Sequence, residues 1–552
     1  MSSSLLLAGL LLLVPYIYSL YRKLHHKRYK QYASIPQLPN HLLLGHLKHM
    51  GEFMKLAPPD AHPDLIFSKM RDSIGRPPLM LVDLRPVNKP MILIADHEIL
   101  EQISKATKKY PASVPKIDFG HFRPLIGDTS VLAVDYDQWK PLRQRFSPGF
   151  APQHLLTLLP AILEKTTEFT DILDGYAKSG EAFALMSPIM NLTFDVIGAV
   201  AMGVDLNSQS KDHQGELIQL FNKLLSTYLN DKADLPWWLV PHVSIRRQIY
   251  GKRIDSILNA IIRTKWASFK KEQGESADKK KDKSILALSF HEYANRRDEL
   301  TQSEITSTRD QLKTFLLAGH DTTSTAFCWI LYELSRTPRA LKAVRKELDS
   351  VFGPDPNLNT ITSVLLASTV TTGQPNPINQ MTYTSAVIKE TLRLHPPTGS
   401  ARTSPPGDNF SVRTQDGAEY CLDGAIIYMC NRLAQRDEKV YGRDANEFKP
   451  ERWLPTETAK DVVFPASAWR PFERGPRGCI GQEFALIEIK TILALVVRRY
   501  EFCKVGLGEV VAGDDVGEDG QLRVKSELYV TRQITSKPVD GMRMRVKFAS
   551  KS

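Results

Sequence analysis

The sequence predicts a mainly α-helical protein with small β-sheets, an α+β fold class, and three observations support this. Long stretches of helical periodicity dominate from about residue 41 onward. Strand-like alternation is confined to Leu79–Ala95 and to the C-terminal region, as in Arg523–Thr531 and Met542–Phe548. The content of 42% hydrophobic and 24% charged residues is ordinary for a globular protein, which excludes a disordered, collagenous or polytopic membrane chain.

The helical patterns come in a definite order along the chain. We expect helices at about residues 152–174, 187–203, 213–229, 244–272, 301–335, 338–351 and 383–394, and one more after Cys479. Ser/Thr-rich residues 358–380 contain no clear element, so they are expected to form a long structureless loop.

The N-terminus has the pattern of a membrane anchor. Leu5–Leu20 carries no charge, and basic residues follow at once, whereas a cleaved signal peptide has them before its apolar stretch. Basic residues remain on the cytoplasmic side, so we expect a single transmembrane signal anchor over residues 1–20 with the rest in the cytosol. Residues 21–40 form a basic stretch and a proline hinge, and residues 41–552 form one catalytic domain. A buried core helix is the alternative for the apolar stretch.

Charge and cysteine content narrow the function only slightly. Lys+Arg 72 against Asp+Glu 61 gives a net charge of +11, which could favour an acidic partner or a lipid surface but identifies neither. Five scattered cysteines are too few for a disulfide scaffold in so long a chain, so the soluble part is expected in a reducing compartment.

A loop near the C-terminus carries the strongest chemical signal. It reads Phe472-Glu-Arg-Gly-Pro-Arg477-Gly-Cys479-Ile-Gly481 and leads into a helix-like run. Three glycines and a proline allow a tight loop whose N–H groups point at a sulfur, and a helix N-terminus stabilises a thiolate. Such a sulfur could bind iron. A buried, purely structural cysteine is the alternative for Cys479.

Poor helix formers interrupt the longest predicted helix. Gly319, Asp321, Thr322 and Thr323 fall in the middle of an apolar run, where glycine and threonine weaken the helix. This pattern favours a groove with proton donors. The alternative is a kinked structural helix in which threonine bonds to the carbonyl four residues back, and we interpret His320 as structural.

Two further patterns contain side chains that can bind a carboxylate. Glu390 and Arg393 stand at i and i+3 of a predicted helix, where they can pair, and Arg452 follows in a Phe-Lys-Pro-Glu-Arg-Trp run. Trp139 and Arg143 stand at i and i+4, and both are donors suited to a carboxylate.

Taken in this order, the motifs resemble those of the cytochrome P-450 family, whose Phe-x-x-Gly-x-Arg-x-Cys-x-Gly signature is filled at every fixed position. The resemblance implies a triangular, helix-rich domain around a buried haem b (iron protoporphyrin IX). It makes Cys479 the axial iron ligand, with Phe472 beneath the sulfur. The propionate-binding residues would be Trp139, Arg143, Arg402 and Arg477. Asp321 and Thr322 would serve proton delivery for O–O cleavage.

The same resemblance makes Glu390, Arg393 and Arg452 a structural charge triad that holds the cysteine loop. It implies a monooxygenase of the endoplasmic reticulum membrane that takes electrons from NADPH-cytochrome P-450 reductase, with cytochrome b5 as a further partner. We expect a monomer that binds a lipophilic substrate and membrane lipid, and no nucleic acid. Residues 390–410 look like those of filamentous-fungal members that oxidise polyketides or terpenoids in secondary metabolite biosynthesis.

Two other function classes remain open at this point. A haem-thiolate isomerase or dehydratase acting on a peroxide would need neither dioxygen nor a reductase, and a non-enzymatic haem-binding protein would need no distal acid. The Asp321-Thr322 pair favours the monooxygenase, because relatives without oxygen activation tend to lose it.

Two tryptophans between prolines suggest a second membrane contact. Trp237 and Trp238 join two helical patterns, and tryptophan favours the membrane–water interface. Burial in the protein's own core is the alternative.

Overall fold

The computed structural model describes residues 2–210, 214–228, 240–274, 281–294, 299–370, 376–455, 463–511, 513 and 516–550. Its first ten α-helices are α1 Ser2–His25, α2 Leu47–Lys55, α3 Pro63–Asp72, α4 His97–Ser104, α5 Arg123–Ile126, α6 Tyr136–Phe146, α7 Pro152–Leu156, α8 Leu159–Ser179, α9 Met186–Met202 and α10 Glu216–Ser226. The remaining helices are α11 Pro241–Gly274, α12 Ile285–Ser289, α13 His291–Ala294, α14 Gln302–Arg336, α15 Pro338–Phe352, α16 Leu358–Val370, α17 Pro377–Gln380, α18 Thr382–Leu394, α19 Asn431–Ala434, α20 Glu438–Tyr441 and α21 Gln482–Val496.

The strands are short and form four small sheets. They are β1 Leu79–Val82, β2 Met91–Ile94, β3 Phe183–Ala184, β4 Ser400–Thr403, β5 Ser411–Arg413, β6 Glu419–Cys421, β7 Ile426–Met429, β8 Tyr500–Lys504, β9 Val530–Arg532, β10 Ser536–Pro538 and β11 Arg543–Phe548. The sheet orders are β1-β2-β7-β4, β3-β11-β8, β10-β9 and β5-β6.

The chain folds as two compact units, and the first contains the four-stranded sheet. This unit comprises Met1–Ile117, Gly399–Val440 and Pro465–Arg477. Strands β1 and β2 are apolar and buried along their whole length, as expected for strands covered on both faces. Strand β2 pairs with β1 antiparallel and with β7 in parallel, so Met91 lies opposite both Val82 and Ile426.

The second unit is built around the long helix α14. It comprises Asp118–Thr398, Tyr441–Phe464 and Gly478–Ser552. The helix begins with a capping box in which Thr301 and Glu304 each bond the other's backbone N–H. Its 35 residues span about 50 Å at 1.5 Å per residue. Helix α9 packs along it, and the Thr193 hydroxyl donates to the His320 carbonyl at 3.1 Å.

Most predicted elements are confirmed, with boundaries that differ by a few residues. The long predicted helices correspond to α8, α9, α10, α11, α14, α15, α18 and α21, with residues 152–156 split off as α7. The loop expected at residues 358–380 was wrong, because α16 and α17 lie there. The strand expected at Arg523–Thr531 was also largely wrong, because regular pairing begins only at Val530.

The two predicted membrane contacts are the N-terminal anchor and the pair Trp237 and Trp238. The N-terminal stretch is helical, as α1, but in the part of the chain that the structure describes no helix combines the length and apolarity needed to span a bilayer. Trp237 and Trp238 lie outside the described residues.

Candidate functional site

The sulfur of Cys479 is exposed immediately before helix α21. Gly481 lies beside this sulfur, since a Cβ at position 481 would be 3.9 Å from it. On α6, the Arg143 guanidinium donates to the Gly478 carbonyl at 2.9 Å. Burial lowers the pKa of Arg143, and the neighbouring Cys479 acts in the opposite direction. Arg143 therefore fixes the backbone beside the sulfur.

Trp139 lies on the same helix, one turn before Arg143. It is buried, and its ring centroid lies 6.2 Å from that of Tyr136. Helix α6 thus carries two of the four predicted propionate-binding side chains, at i and i+4.

The first unit holds the other predicted cofactor-binding residues, Arg402, Phe472 and Arg477. Arg402 is fully buried on β4, yet its Nε has no hydrogen-bond partner in the structure. Burial lowers its pKa, and the Glu473 carboxylate, 3.5 Å from an Arg402 nitrogen, opposes this. The ring of Phe472 packs at 5.9 Å against that of Trp469.

Residues 472–477, the part of the cysteine loop that belongs to this unit, have a constrained backbone. Gly475 has a φ of +75°, and a Cβ there would lie 2.2 Å from the Ser104 carbonyl oxygen, so only glycine fits. Glu473 has a φ of +60°, and its carboxylate accepts from Arg470 at 2.7 Å and from the Ser104 hydroxyl at 3.1 Å. These bonds hold a strained residue in place.

One short strip of α14 is open to the surroundings. Between Asp310 and Leu334 every residue is buried except Ala318, Gly319 and Thr322, which share one face. The Thr322 hydroxyl donates to the Ala318 carbonyl at 2.7 Å, which is the bond that the structural alternative predicted. That bond uses the hydroxyl proton, so the Thr322 oxygen still presents acceptor capacity on the open strip.

Gly319 has a packing role that the sequence did not reveal. A Cβ at this position would lie 2.8 Å from the Ile197 side chain of α9. The glycine therefore permits the close approach of α9 and α14, in addition to leaving the open strip of α14 without a side chain at this position.

Asp321 points away from that strip into the protein. It is 2% exposed, and its Oδ1 forms an ion pair with Lys537 of β10 at 2.5 Å, while its Oδ2 has no hydrogen-bond partner. The adjacent His320 is fully buried, stacks on Phe194 and bonds through Nδ1 to the Leu316 carbonyl at 2.6 Å.

Burial lowers the pKa of His320 to about 4, so it is neutral near pH 7. In the described part of the chain no cluster of three or more metal-ligating side chains is present.

Glu390 lies between the two arginines with which the sequence grouped it. Its Oε1 accepts from Arg393 at 2.7 Å and from Arg452 at 2.8 Å. Its Oε2 accepts from Arg393 at 2.8 Å and from the Trp453 indole at 2.9 Å. Arg393 also donates to the backbone carbonyls of Ala445 and Glu447, so helix α18 is tied to residues 445–453.

Comparison with known proteins supplies the family. The family model "Cytochrome P450" matches residues 36–511, which is most of the chain. The chain belongs to the cytochrome P450 family. It is 32% identical to cytochrome P450 monooxygenase acrF of Aspergillus aculeatus, over 81% of this chain and 88% of that protein.

A second fungal relative and a solved structure agree. Cytochrome P450 monooxygenase polC of Polytolypa hystricis is 28% identical over 93% of this chain and 89% of its own. The crystal structure of the cytochrome P450DA heme domain superposes with a TM-score of 0.68 at 20% identity, over 94% of this chain and 98% of that chain, and so shares its fold. The chain is thus a cytochrome P450 monooxygenase whose cofactor is a cysteine-ligated haem.

Each compact unit, taken by itself, carries groups that suit that cofactor. The Arg402 guanidinium is fully buried and its Nε has no hydrogen-bond partner in the structure. A propionate that accepted from this nitrogen would satisfy it. Cys479 offers an exposed sulfur at a helix N-terminus, and α14 offers a strip of small side chains. The guanidinium suits an anionic propionate, the thiolate is a soft ligand for iron, and the small side chains leave room for a flat ring.

Two residues of the site escaped the sequence reasoning. Lys537 lies 216 positions beyond Asp321, and nothing local marks it as the partner of that acid. Glu473 lies at a variable position of the cysteine loop. The one sequence feature that could have indicated its role is that it is an acid between Arg470 and Arg474. Of the four cysteines outside the cysteine loop, Cys328 and Cys430 are buried, whereas Cys421 and Cys503 are exposed.

Proposed function

We propose that this P450 inserts one atom of dioxygen into a lipophilic small molecule, a polyketide or terpenoid intermediate of fungal secondary metabolite biosynthesis. Electrons would come from NADPH-cytochrome P450 reductase, with cytochrome b5 as an additional donor. The observation that carries this proposal is the placement of Thr322 on the open strip of α14 beside the buried acid Asp321. An isomerase or dehydratase would not need such a pair.

Haem bound through Cys479 would supply oxygen activation, because a thiolate ligand pushes electron density toward O–O cleavage. Arg143, Trp139, Arg402 and Arg477 would hold the propionates, and Phe472 would pack beneath the sulfur. Arg143 also bonds the Gly478 carbonyl, so propionate binding and the position of the sulfur are coupled through one side chain.

Thr322 and Asp321 divide the proton chemistry between them. The Thr322 hydroxyl donates to the Ala318 carbonyl, and this bond fixes the position of its oxygen. The oxygen can then accept a hydrogen bond from a group that carries a proton and so help to relay that proton. Asp321 is 2% exposed, and its Oδ2 has no hydrogen-bond partner in the structure, so this oxygen is the acceptor that it could offer to a proton-carrying group.

The proposal includes residence at the endoplasmic reticulum membrane through the N-terminal segment. Leu5–Leu20 carries no charge and is followed by Arg22 and Lys23, which favours a cytosolic catalytic domain. The full chain expressed in yeast should remain in the microsomal pellet after alkaline carbonate extraction. Replacing four leucines of the stretch with aspartate should release it, and unchanged retention would remove the anchor from the account.

The reaction is tested with microsomes that contain the chain and a fungal reductase. Incubated with a fungal lipophilic extract, NADPH and isotopically labelled dioxygen, they should form products heavier by one labelled oxygen atom. Omission of NADPH should abolish those products. Conversion of a lipid peroxide into an isomer without NADPH, and no labelled product, would contradict the monooxygenase proposal.

A further inference from the structure

The carboxylate of Glu473 lies among positive charges of the first unit. Its Oε1 accepts from Arg470 at 2.7 Å, and its Oε2 lies 3.5 Å from an Arg402 nitrogen. Both guanidiniums are fully buried, and the Glu473 side chain is 11% exposed. Burial acts to raise the pKa of Glu473, but the neighbouring positive charges, Lys116 included, outweigh burial and hold that pKa below its usual value. The cysteine loop therefore contains a buried negative charge near pH 7.

The backbone at this position gives no reason for a glutamate. Residue 473 has a φ of +60°, in the left-handed region where a side chain larger than that of glycine is strained. The carboxylate is held at its far end by Arg470, by the Ser104 hydroxyl at 3.1 Å and by the Arg474 backbone N–H at 3.2 Å. An acid therefore stands here against the preference of the local conformation, and its charge needs an explanation.

Neutralisation of Arg470 does not explain that charge, because Arg470 also donates to the Glu101 carboxylate of α4 at 2.7 Å. The situation of Arg402 is different. Its other hydrogen bonds go to a hydroxyl and to a backbone carbonyl, which are both neutral. Among the described side chains, Glu473 is the one carboxylate that forms an ion pair with Arg402.

Arg402 is the side chain through which this charge would act on the cofactor. The proposed function gives Arg402 a haem propionate, and its buried Nε, which has no hydrogen-bond partner in the structure, is a donor for that group. Glu473 and the propionate would then share one guanidinium, so less of its positive charge acts on the haem. Reduction adds one electron, from the reductase, to ferric haem and gives ferrous haem. A buried negative charge opposes that added electron, because a protein interior screens charge less than water does.

We propose that Glu473, through its charge on Arg402, lowers the reduction potential of the haem and so sets how readily the enzyme accepts its first electron. Glu473 is a tuning residue and not a catalytic one. The inference rests on the proposed function, which gives Arg402 a propionate, and deepens it by naming a residue that regulates electron uptake.

The test is a spectroelectrochemical titration of the purified full chain with haem bound, in the wild type and four variants. Glu473→Gln removes the charge and keeps the size of the side chain. Glu473→Gly removes both the charge and the strain, and Glu473→Asp keeps the charge. The reduced, carbon-monoxide-bound spectrum of each variant first establishes that thiolate-bound haem is present.

Glu101→Gln is the matched control. Glu101 accepts from the same Arg470, but its side chain is 35% exposed, and its ion pairs in the described structure are with Arg470 and Arg474. This variant therefore removes a carboxylate from the same cluster without touching the pair of Glu473 with Arg402.

At the midpoint potential of the wild type, Glu473→Gln and Glu473→Gly should both raise the ratio of ferrous to ferric haem about tenfold, a positive shift of about 59 mV for one electron. Glu473→Asp and Glu101→Gln should keep that ratio within about twofold of the wild type, because the first retains the charge and solvent screens the second.

This ratio is measured without substrate or turnover, so it separates the inference from the proposed reaction. A wild-type ratio in both Glu473→Gln and Glu473→Gly would overturn the inference. A rise in Glu473→Gln alone would also overturn it, since strain in the loop and not charge would then be the cause. Should Glu473→Gln fail to bind haem, the ratio in Glu473→Gly decides. The expected shift together with absence of oxygenated product from the wild type would overturn only the proposed function.

Discussion

Two buried carboxylates, Glu390 and Asp321, differ in how completely their oxygens are paired. Glu390 is fully buried and accepts hydrogen bonds from Arg393, Arg452, the Trp453 indole and the Lys449 backbone N–H. Asp321 is 2% exposed and has one ion pair, and one of its oxygens has no hydrogen-bond partner.

The comparison separates a structural acid from one equipped for proton transfer. Both Glu390 oxygens accept hydrogen bonds from arginines or the Trp453 indole, so neither oxygen is left without a partner. A carboxylate with an unpaired oxygen keeps a site where a proton can bind. The same chemical group is therefore completely paired on α18 and incompletely paired on α14, and we propose that the first serves stability and the second serves chemistry.

The largest effect should come from breaking the complete network. Glu390→Gln takes the carboxylate away from the buried Arg393 and leaves Arg452 with Asp444, at 3.4 Å, as its carboxylate partner. Such losses cost about 3–5 kcal/mol, a large share of a typical folding free energy. We expect little haem-containing protein and a strongly lowered thermal unfolding temperature. Wild-type haem content and unfolding temperature in this variant would show that the network is dispensable.

The incomplete site should respond in activity instead of stability. Thr322→Ala should reduce product formed per NADPH by about 10²–10⁴ and divert electrons to hydrogen peroxide, because proton delivery fails. Its unfolding temperature should stay near wild type, since the hydroxyl is partly exposed and bonds only within α14.

Thr325→Val is the matched control for that experiment. Its hydroxyl also donates four residues back, to the Asp321 carbonyl at 2.8 Å, but it is buried against Thr535. It should lose stability and keep the wild-type ratio of product to NADPH. Equal coupling in Thr322→Ala and wild type would exclude Thr322 from proton delivery.

His320 sharpens the comparison through pH. Its pKa is lowered by burial to about 4, against about 6.5 in an unfolded chain, so the unfolded state binds the extra proton first as pH falls. Stability should therefore fall between about pH 6.5 and pH 4. From pH 7 to pH 5 the histidine should remove about 2 kcal/mol of unfolding free energy. Urea unfolding of His320→Gln should lack this share of the decrease, and identical slopes would contradict it.

The smallest effect is expected from an exposed pair. Lys547 and Glu501 lie opposite each other on β11 and β8 at 2.9 Å, and Lys547 is largely exposed. Lys547→Gln should change the unfolding free energy by less than about 1 kcal/mol, because solvent screens the pair. A loss near that of Glu390→Gln, measured under the same conditions, would contradict the ranking by burial.

Local patterns predicted the helices well because their periodicity is carried by each segment alone. The exception, α16, is rich in Ser and Thr, which favour other backbone conformations, and its inward residues Ile361 and Leu365 are too few to outweigh that signal. The strand expected at Arg523–Thr531 was largely wrong because alternation does not specify a regular partner. Val524 forms an isolated bridge with Val510, and regular pairing begins at Val530.

The site could be predicted wherever its chemistry is concentrated in a short motif. Cys479, Thr322 and Glu390 all lie in such motifs. The partner of Asp321 could not be found this way, because Lys537 reaches it only through the packing of β10 on α14. Polar contacts between distant segments depend on tertiary structure, which single-sequence patterns do not encode.

The central claim, a haem-thiolate centre at Cys479, is tested most directly by the spectrum of the reduced, carbon-monoxide-bound protein. The wild type should show the red-shifted Soret band of thiolate ligation, and Cys479→Ser should lose it. Cys503→Ser, which removes another exposed thiol, should retain it. Persistence of the band in Cys479→Ser would contradict the assignment of the iron ligand and the function built on it.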